Sequence, residues 1–306
     1  MKGRILKILR VADDTVSGET LSAKLGVSRV TVWKHVRALQ TCGYDIRASA
    51  KGYRLHASPD IPYPWEFPER ETRIHYFPEV DSTMRVAREL AHGGCDHLTV
   101  VTADRQSKGR GRLTRTWHSQ SGGLYFTVVV RPMLPPLLSP RVNFAACLAL
   151  VKTLRDGFDV EAAVKWPNDV LVAESKIAGI LSEMEAEADR IAYINVGIGL
   201  NVNNDPTPLE SRAVSLKQIC RRPISRKEIL IDFLDRFESD IRSPELSGVI
   251  PQWKEFTVTL QRRVRIVTVH ESVEGKAVDV DENGSLVLEL DTGEMRTVLY
   301  GDCFHL

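Results

Sequence analysis

The sequence predicts an α+β protein of three domains, and three patterns along its 306 residues support this fold class. Residues 1–57 contain three short helical patterns followed by a basic hairpin, which is typical of a winged helix-turn-helix. Residues 73–258 alternate helical and strand patterns, as a mixed α/β layer does. Residues 259–306 consist of short alternating runs separated by turn residues, which indicates a small β-barrel. Residues 58–72 contain four prolines and are predicted to form a semi-rigid linker.

Composition and cysteine usage narrow the class of protein. Hydrophobic residues make up 43% and charged residues 26% of the chain, which is ordinary for soluble globular domains. The five cysteines form no CxxC pair, which argues against a disulfide framework or a zinc site and fits a reducing compartment. The longest strongly apolar run, Phe144 to Val151, is far shorter than a membrane span, and no basic-then-apolar leader opens the chain. We therefore expect a cytoplasmic protein without a membrane segment.

The charge of the chain is unevenly distributed. The net charge is +1, but residues 1–57 hold 11 lysines and arginines against 4 aspartates and glutamates, a local charge of +7, and the remainder carries −6. A basic block at one end is what a nucleic-acid-binding domain needs, although a solvated basic surface would have the same composition.

Helix start and stop signals place a helix-turn-helix inside this basic block. A short helix ends at Gly26, and Ser28 is positioned to cap a third helix that Gly43 closes. Residues 44–55 then form the predicted hairpin wing around Lys51. The third helix and the wing present hydroxyls and cations that can reach base edges and phosphates. We predict DNA contacts from Gly18, Ser28, Arg29, Thr31, Lys34, Arg37 and Lys51.

Two polar segments of the central domain lie where its predicted elements meet. Ser82-Thr83 begins an amphipathic helix, where hydroxyls and free backbone amides can orient a polar ligand or simply cap the helix. The segment Gln106-Ser107-Lys108-Gly109-Arg110-Gly111-Arg112 alternates glycine with arginine, and guanidinium groups bind phosphate bidentately. This pattern indicates an anion-binding loop, but a disordered RNA-binding patch or a solvated loop would share it. It is not a P-loop, because no GxxxxGK[ST] occurs in the chain.

Two further segments follow in the second half of this domain. Lys165-Trp166-Pro167-Asn168-Asp169 gathers a cation, an aromatic ring, an amide and a carboxylate at a strand end, which a structural corner could also explain. Ser175-Lys176-Ile177-Ala178-Gly179-Ile180-Leu181 places a lysine in an apolar strand. Burying that lysine is costly without an anion, so a bound phosphate or carboxylate is the expected partner of Lys176.

Together these segments resemble the biotin–protein ligase family. The family's GRGR loop, KWPND box and K-x-A-G-I-L strand appear in order, and Gly197 to Asn203 matches its G-x-G-x-N signature. The last run is not a dinucleotide-binding motif, because Val202 stands where GxGxxG needs its third glycine. The resemblance covers nearly the whole chain and suggests the class that carries a repressor domain. It implies a catalytic fold like that of lipoate ligases and class II aminoacyl-tRNA synthetases, and an SH3-like barrel at the C-terminus.

The resemblance implies an activity and roles for these residues. It implies that ATP and biotin form biotinyl-5′-AMP and that biotin then passes to a lysine of the biotin carboxyl carrier protein of acetyl-CoA carboxylase. The catalytic residues would be Lys176, Arg110 and Arg112. The biotin-binding residues would be these three together with Ser82, Thr83, Met84, Gln106, Gly109, Gly111 and Gly179. The ATP-binding residues would be Arg112, Arg115, Trp117, Lys165, Asn168 and Asn201.

The resemblance also implies Mg²⁺ with ATP, for which Asp169 is the candidate ligand. The adenylate would serve as corepressor, with operator DNA and a ligand-promoted homodimer as partners. Two departures from the family pattern occur, Met84 where asparagine is frequent and Thr114 where glycine can occur. Neither removes a charge that adenylate formation needs.

The tail and one loop carry less functional information. Ser225 to Glu228 predicts a capping box on an amphipathic helix, and turns around Asn283-Gly284 and Thr292-Gly293 predict hairpins. The barrel could brace ATP or the acceptor, or be purely structural. The apolar loop Pro132 to Leu138 could cover its own core or form part of an interface.

Three alternatives to the ligase/repressor hypothesis remain distinguishable. A lipoate–protein ligase would share the fold and the adenylate, but the KWPND box and the DNA-binding domain argue against it. A repressor that senses biotin without transferring it is disfavoured by the presence of Lys176, Arg110 and Arg112. An active ligase whose first domain regulates nothing is barely excluded by the sequence, and operator binding would distinguish it.

Overall fold

A computed structural model of the chain describes residues 1–187 and 189–306. It divides into two compact units, Met1–Ile74 and His75–Leu306. The five cysteines are unpaired.

The first unit is a winged helix-turn-helix, as predicted. Its elements are α1 (Lys2–Val11), α2 (Gly18–Leu25), α3 (Arg29–Thr41), β1 (Asp45–Ser49) and β2 (Gly52–Ala57). The two strands pair antiparallel to form the wing. The Ser28 hydroxyl caps α3 by accepting a hydrogen bond from the Thr31 amide, and α2 ends at Gly26 in the left-handed conformation. The three helices share one core, in which Leu21, Val36 and Leu39 are buried.

The proline-containing segment after the wing is packed rather than extended. Tyr63 and Trp65 stack with ring centroids 4.6 Å apart and lie against the core of the first unit. Arg10 of α1 forms an ion pair of 2.8 Å with Glu66. The segment predicted as a semi-rigid linker over residues 58–72 therefore carries aromatic groups that gain more by packing on the winged helix than by facing water.

The larger unit is built on a seven-stranded sheet. The strands of this sheet are β3 (Ile74–Val80), β4 (Thr99–Gln106), β5 (Leu124–Val130), β6 (Ala162–Lys165), β7 (Asp169–Val172), β8 (Ser175–Glu187) and β9 (Arg190–Leu200). Their order across the sheet is β3-β4-β5-β9-β8-β7-β6. The helices of this unit are α4 (Thr83–His92), α5 (Pro140–Phe158), α6 (Leu216–Cys220), α7 (Arg226–Ile241) and α8 (Val249–Glu255).

Helices cover the two faces of this sheet differently. Phe126 of β5 packs edge-on against Phe233 of α7, and the buried α5 contacts α7 and α8 on that side. The next residue of β5, Thr127, donates a hydrogen bond to the Thr83 hydroxyl of α4. Since successive side chains of a strand point to opposite faces, α4 covers the face opposite the α5–α7–α8 layer. That face holds the candidate site described below.

One helix of the buried layer has the length and composition of a membrane span. The segment Pro136–Phe158, which contains α5, passes that test, and 67% of its most apolar window is buried inside the fold. Burial of this kind is typical of the central helix of a globular domain, so the segment is weak support for a membrane location.

The C-terminal residues form a separate five-stranded antiparallel sheet. Its strands are β10 (Arg263–Val267), β11 (Ser272–Val280), β12 (Leu286–Glu289), β13 (Met295–Val298) and β14 (Asp302–His305), in the order β13-β12-β11-β10-β14. The predicted hairpin turn between β11 and β12 is present, with the Asp281 carboxylate accepting from the amides of Asn283 and Ser285 at 2.9 and 2.8 Å. The Trp166 indole donates to the Gly284 carbonyl at 3.0 Å, which fixes this turn to the central sheet.

Candidate functional site

A cavity of about 240 Å³ opens on the α4 face of the seven-stranded sheet. Predicted residues from all four polar segments, and from the run Gly197 to Asn203, line it, namely Ser82, Thr83, Met84, Gln106, Arg110, Gly111, Arg112, Arg115, Trp117, Asn168, Asp169, Lys176, Gly179 and Asn201. Segments separated by more than 100 positions in the sequence thus converge on one concave surface.

One end of the cavity is a buried polar cluster at the start of α4. The Gln106 side-chain oxygen accepts from the Thr83 amide at 2.8 Å, and its amide nitrogen donates to the Ser119 hydroxyl at 2.8 Å. Ser82 occupies the N-cap position, yet its hydroxyl makes no capping bond and has no partner among the described residues, although it is buried. Buried polar groups are normally hydrogen-bonded, so this hydroxyl is available to a polar ligand. The simple capping role weighed from the sequence does not apply to Ser82.

Met84 makes this end of the cavity apolar on its other side. The Met84 side chain is buried, and a Cβ atom built on Gly197 of β9 would lie 2.6 Å from its sulfur. A larger residue at this position of β9 would displace the Met84 thioether, which fills the space above the strand.

Trp117 forms a second wall that lies against the sheet. A Cβ atom on Gly199 would come within 2.4 Å of the indole, and one on Gly179 within 3.1 Å, so the ring rests on two strand glycines. The Lys176 ammonium stands 5.4 Å from the ring centroid. The indole nitrogen lies against Gly199 of β9 and is buried without a hydrogen-bond partner among the described residues.

The glycine–arginine loop (residues 109–117) is fixed from several directions. Arg110 pairs with Glu183 of β8 at 2.9 Å. Arg112 donates to the Asn168 side-chain oxygen at 3.1 Å and to the Gly301 carbonyl at 3.0 Å. Arg115 pairs with Asp302 of β14. The loop is therefore held by side-chain contacts and forms one wall of the cavity, although Arg110 and Arg115 remain largely exposed to solvent.

Arg112 is the most enclosed cation of this loop. Burial lowers the pKa of its guanidinium, and the carboxylates of Asp302 and Asp169 oppose that shift. A guanidinium ordinarily loses its proton only in strongly basic solution, so Arg112 remains a fixed cation at the cavity.

Lys176 is partnered by protein in this structure. Its ammonium lies 2.7 Å from the Asp169 carboxylate, across the β7–β8 hairpin, and its side chain is about one-third exposed. The anion expected beside Lys176 from the sequence is therefore supplied in part by Asp169. Lys176 still lines the cavity, where a second anion can reach it.

The donor set for a metal ion is small. Within residues 1–187 and 189–306 there is no group of three or more histidine, cysteine, aspartate or glutamate side chains that could hold a metal. Asp169 is the candidate carboxylate, and Lys176 occupies one of its oxygens. Mg²⁺ is commonly bound by one or two carboxylates, with substrate phosphates and water completing its octahedron. The site fits an ion of this kind that arrives with a nucleotide.

Two predicted residues do not line the cavity. Gly109 is buried, and a Cβ atom there would lie 2.3 Å from the Trp117 carbonyl, so this glycine permits the loop to fold back on itself. Lys165 ends β6 opposite Asp169 of β7, outside the cavity wall. Both are close in sequence to residues that do line the cavity, which is why the motifs suggested them.

The structure adds lining residues that sequence motifs did not indicate. Most come from the 203–213 segment and from the C-terminal sheet, namely Asn204, Pro206, Leu209, Glu210, Ala213 and Asp302, and others, such as His118 and Gln120, follow the glycine–arginine loop. Asn204 donates to the Asn201 side-chain oxygen at 2.9 Å and so orients a predicted residue. No composition signal marks these positions, because their role comes from tertiary packing.

No thiol in the neighbourhood is suited to nucleophilic catalysis. Cys303, next to Asp302, is buried, and desolvation raises the pKa of its thiol to about 12. A thiol with this pKa is protonated at neutral pH and is a poor nucleophile.

The first unit presents a separate candidate surface on α3. Arg29, Lys34 and Arg37 are exposed along the helix, and Lys51 is exposed at the tip of the wing. Ser28 and Thr31 bond to one another at 3.0 Å, so both hydroxyls are engaged in the helix cap. A Cβ atom on Gly18, the first residue of α2, would be in van der Waals contact with the Arg29 side chain.

Sequence patterns missed two exposed apolar residues on the same helix. Val30 is 63% and Trp33 is 52% exposed, and they share one face of α3 with Lys34 and Arg37. Base edges include apolar thymine methyl groups, so this mixture of cations and apolar groups is compatible with the major groove.

Comparison with known families agrees with this division of the chain. The profile of the Biotin/lipoate A/B protein ligase family matches residues 76–201. The profile of an HTH domain matches residues 3–54, and that of the Biotin protein ligase C terminal domain matches residues 259–306. The three profiles occur in the order of the predicted domains.

Individual relatives extend over nearly the full chain. The Bifunctional ligase/repressor BirA of Bacillus subtilis (strain 168) is 34% identical over 304 residues, covering 93% of this chain and 92% of the relative. The protein of the same name from Escherichia coli (strain K12) is 26% identical over 295 residues, covering 90% and 88%. The biotin protein ligase from Aquifex aeolicus in complex with biotin and ATP superposes with a TM-score of 0.64 at 29% identity, covering 76% of this chain and 97% of that one. By this similarity over almost its entire length, the chain belongs to the bifunctional ligase/repressor family of biotin–protein ligases.

Proposed function

We propose that this protein uses ATP to convert biotin to biotinyl-5′-AMP, transfers biotin to one lysine of the carboxyl carrier protein of acetyl-CoA carboxylase, and represses transcription in response to biotin. The observation that carries the ligase half is the placement of Lys176 and Arg112 on one cavity whose far end holds an unpartnered buried hydroxyl, that of Ser82. Such a cavity can hold a neutral polar ring system at one end and bring its carboxylate to two cations.

The first step is attack of a biotin carboxylate oxygen on the α-phosphorus of ATP. A carboxylate is a poor acyl donor, because oxide would have to leave. The attack forms an acyl phosphate bond and breaks the bond to pyrophosphate, so AMP becomes the later leaving group. Negative charge gathers on the phosphate oxygens in the transition state, and fixed cations in a partly enclosed site stabilise it. We assign this role to Lys176, Arg110 and Arg112.

The remaining lining residues would position the two substrates. Ser82, Thr83 and Gln106 would bond the polar ring of biotin, and Met84 would pack on its apolar part. Trp117, Asn168 and Asn201 would contact the nucleotide, with Arg115 at the edge. Asp169 would contribute one ligand to Mg²⁺, which supplies further neutralisation of the phosphates when bound.

The second step needs no nucleophile from this chain. The acceptor lysine, as free amine, attacks the acyl carbon, the bond to the AMP oxygen breaks, and the amine loses a proton as the amide forms. The high pKa of the buried Cys303 thiol agrees with a mechanism in which no enzyme thioester forms.

The ligase assignment is tested by incubating the protein with ATP, one acid and the carrier domain. With biotin we expect AMP, pyrophosphate and a singly biotinylated carrier, and a carrier whose target lysine is changed to arginine should stay unlabelled. With lipoate in place of biotin we expect no AMP. AMP formation with lipoate alone would identify the protein as a lipoate ligase instead.

We assign operator binding to α3 and the wing, through Arg29, Lys34, Arg37 and Lys51. Gly18, Ser28 and Thr31 would lie close to the DNA backbone. A dimer would present two such surfaces to a two-fold operator, and adenylate would promote that dimer by ordering loops at its interface. The apolar loop with exposed Met133 and Leu137 is a candidate part of this interface.

Adenylate should therefore tighten DNA binding. We expect biotin with ATP to raise the affinity for duplexes that the protein selects from a random pool, and the carrier protein to lower it again by competing for the ligand-bound monomer. The measurement is a titration of labelled duplex with and without the two substrates. Equal affinity in both conditions would leave the ligase intact but would contradict the repressor assignment.

Arg29→Ala and Lys34→Ala should weaken DNA binding and flatten its salt dependence. Each phosphate contact releases about one counterion, so each variant should lower the slope of log affinity against log salt by about one. Both variants should biotinylate the carrier at the wild-type rate, because these residues lie outside the ligase cavity. An unchanged salt slope would place the DNA-binding surface elsewhere.

A further inference from the structure

Glu183 of β8 lies between two arginines that belong to different elements. One of its carboxylate oxygens lies 2.9 Å from the Arg110 guanidinium of the glycine–arginine loop. The other accepts from Arg88 of α4. The Glu183 side chain is about one-quarter exposed, whereas those of both arginines are more exposed. A single carboxylate therefore joins the loop, the sheet and the helix that begins at Ser82.

The position of Glu183 along β8 relates it to the cavity. Gly179 and Leu181 line the cavity, and alternate residues of a strand share a face, so Glu183 is the next residue on that face. Glu183 itself does not line the cavity and has no direct access to a ligand. Its effect on the reaction must pass through the residues it holds.

Arg110 depends on Glu183 for its placement. Glycines flank Arg110 on both sides, so the backbone gives this residue little stiffness of its own. Within the described part of the chain, Glu183 is its one ion-pair partner, and its backbone contributes a single bridge to Thr116. Hydrogen bonds between ionised groups are stronger than neutral ones, so the loss of this carboxylate should release the Arg110 end of the loop, while Arg112 and Arg115 keep their own partners.

We propose that Glu183 is a positioning residue that keeps the glycine–arginine loop closed and thereby retains biotinyl-5′-AMP until an acceptor lysine arrives. The inference rests on the proposed function and deepens it, because it identifies what keeps the reactive intermediate from escaping. Free adenylate reacts with any accessible amine, which forms an amide and releases AMP, so closure of the loop sets the specificity of transfer.

The test is the Glu183→Gln variant, which keeps the shape of the side chain and removes its charge. We expect free biotinyl-5′-AMP to leave this variant about tenfold faster than the wild type, since one charged hydrogen bond commonly changes an equilibrium by that factor. The readouts are adenylate in the filtrate and biotinylation of serum albumin per pyrophosphate released. Without substrates, trypsin should also cleave the loop faster in this variant than in the wild type. The melting temperature of the variant should equal that of the wild type.

Glu185→Gln is the matched control. Glu185 lies two residues further along the same strand and face, but it bonds His92 at 2.9 Å and Tyr193 at 2.6 Å instead of the loop. This variant should retain adenylate and resist trypsin as the wild type does. Leakage from it equal to that from Glu183→Gln would mean that any lost charge on β8 opens the site, which would overturn the proposal.

A double-mutant cycle separates positioning from a general structural effect. If Glu183 acts through Arg110, then Arg110→Gln and the double variant should leak equally, whereas independent effects would multiply. Should Glu183→Gln not fold, the cycle is run with Glu183→Asp, which shortens the reach of the carboxylate. The proposal is overturned if the Glu183 variant retains adenylate as well as the wild type does. It is also overturned if the Glu183 and Arg110 substitutions act independently in the cycle. A wild-type protein that forms no adenylate would instead contradict the proposed function itself.

Discussion

Lys176→Gln should fold normally and form biotinyl-5′-AMP about 10²-fold more slowly than the wild type. The Lys176 side chain lines the cavity, and we propose that its ammonium contacts both the biotin carboxylate and the α-phosphate of ATP. A neutral amide of similar length cannot stabilise the charge of the transition state, and losses of about 3 kcal/mol are typical when such a group is removed. Each 1.36 kcal/mol corresponds to about tenfold in rate, which gives the expected magnitude.

The measurement is biotin-dependent pyrophosphate release under saturating substrates, together with the melting temperature. Lys152→Gln is the matched control, because Lys152 is a partly buried lysine of α5 that bonds Gln252 on the other side of the sheet. It should retain the wild-type rate. Near-normal pyrophosphate release by Lys176→Gln would remove Lys176 from the catalytic assignment.

Arg112→Gly should lose its hold on the adenylate and biotinylate unrelated proteins. Arg112 is held between the Asn168 side chain and the Gly301 carbonyl, and it remains charged although partly buried. Removing it deletes a cation beside the phosphate and adds a third glycine to the loop, so we expect adenylate release to increase about 10²-fold.

The readout is the ratio of albumin to carrier biotinylation at equal adenylate formation. Arg112→Lys should fall between the wild type and the glycine variant, since it keeps the charge but loses the planar bidentate geometry. A glycine variant as selective as the wild type would mean that Arg112 does not close the site.

Local signals predicted much of the fold. Ser28 and Gly26 mark helix boundaries through capping and turn chemistry. The apolar stretches at Leu124 to Val130 and Ile191 to Ile198 predict β5 and β9 to within a few residues. The β7–β8 hairpin was not predicted as two strands. Its turn residues, Ala173 and Glu174, both have positive φ, at 47° and 67°, without the glycine or asparagine that usually marks such a turn. Tertiary packing overrides local preference there.

The residues of the candidate site also divide into those that sequence motifs predict and those that they do not. Motif residues from five separate segments converge on the cavity, because most of these segments lie at the end of a strand or the start of a helix. Asp302, Glu210 and Glu183 could not be predicted, since their relation to the loop or to the cavity depends on contacts between distant segments. Gly109 and Lys165 show the converse, because membership of a motif does not ensure that a side chain reaches the cavity.

The central claim is that one cavity forms biotinyl-5′-AMP and hands it to an acceptor lysine. The most direct measurement is a single-turnover experiment in which the protein, in excess over ATP labelled at the α-phosphate, is mixed with biotin and freed of unbound nucleotide. We predict labelled biotinyl-5′-AMP bound to the protein before any acceptor is present. Adding the carrier domain should then convert it to free labelled AMP and biotinylated carrier in equal amounts. Biotinylation of the carrier without a bound adenylate, or cleavage of ATP to ADP, would contradict the account.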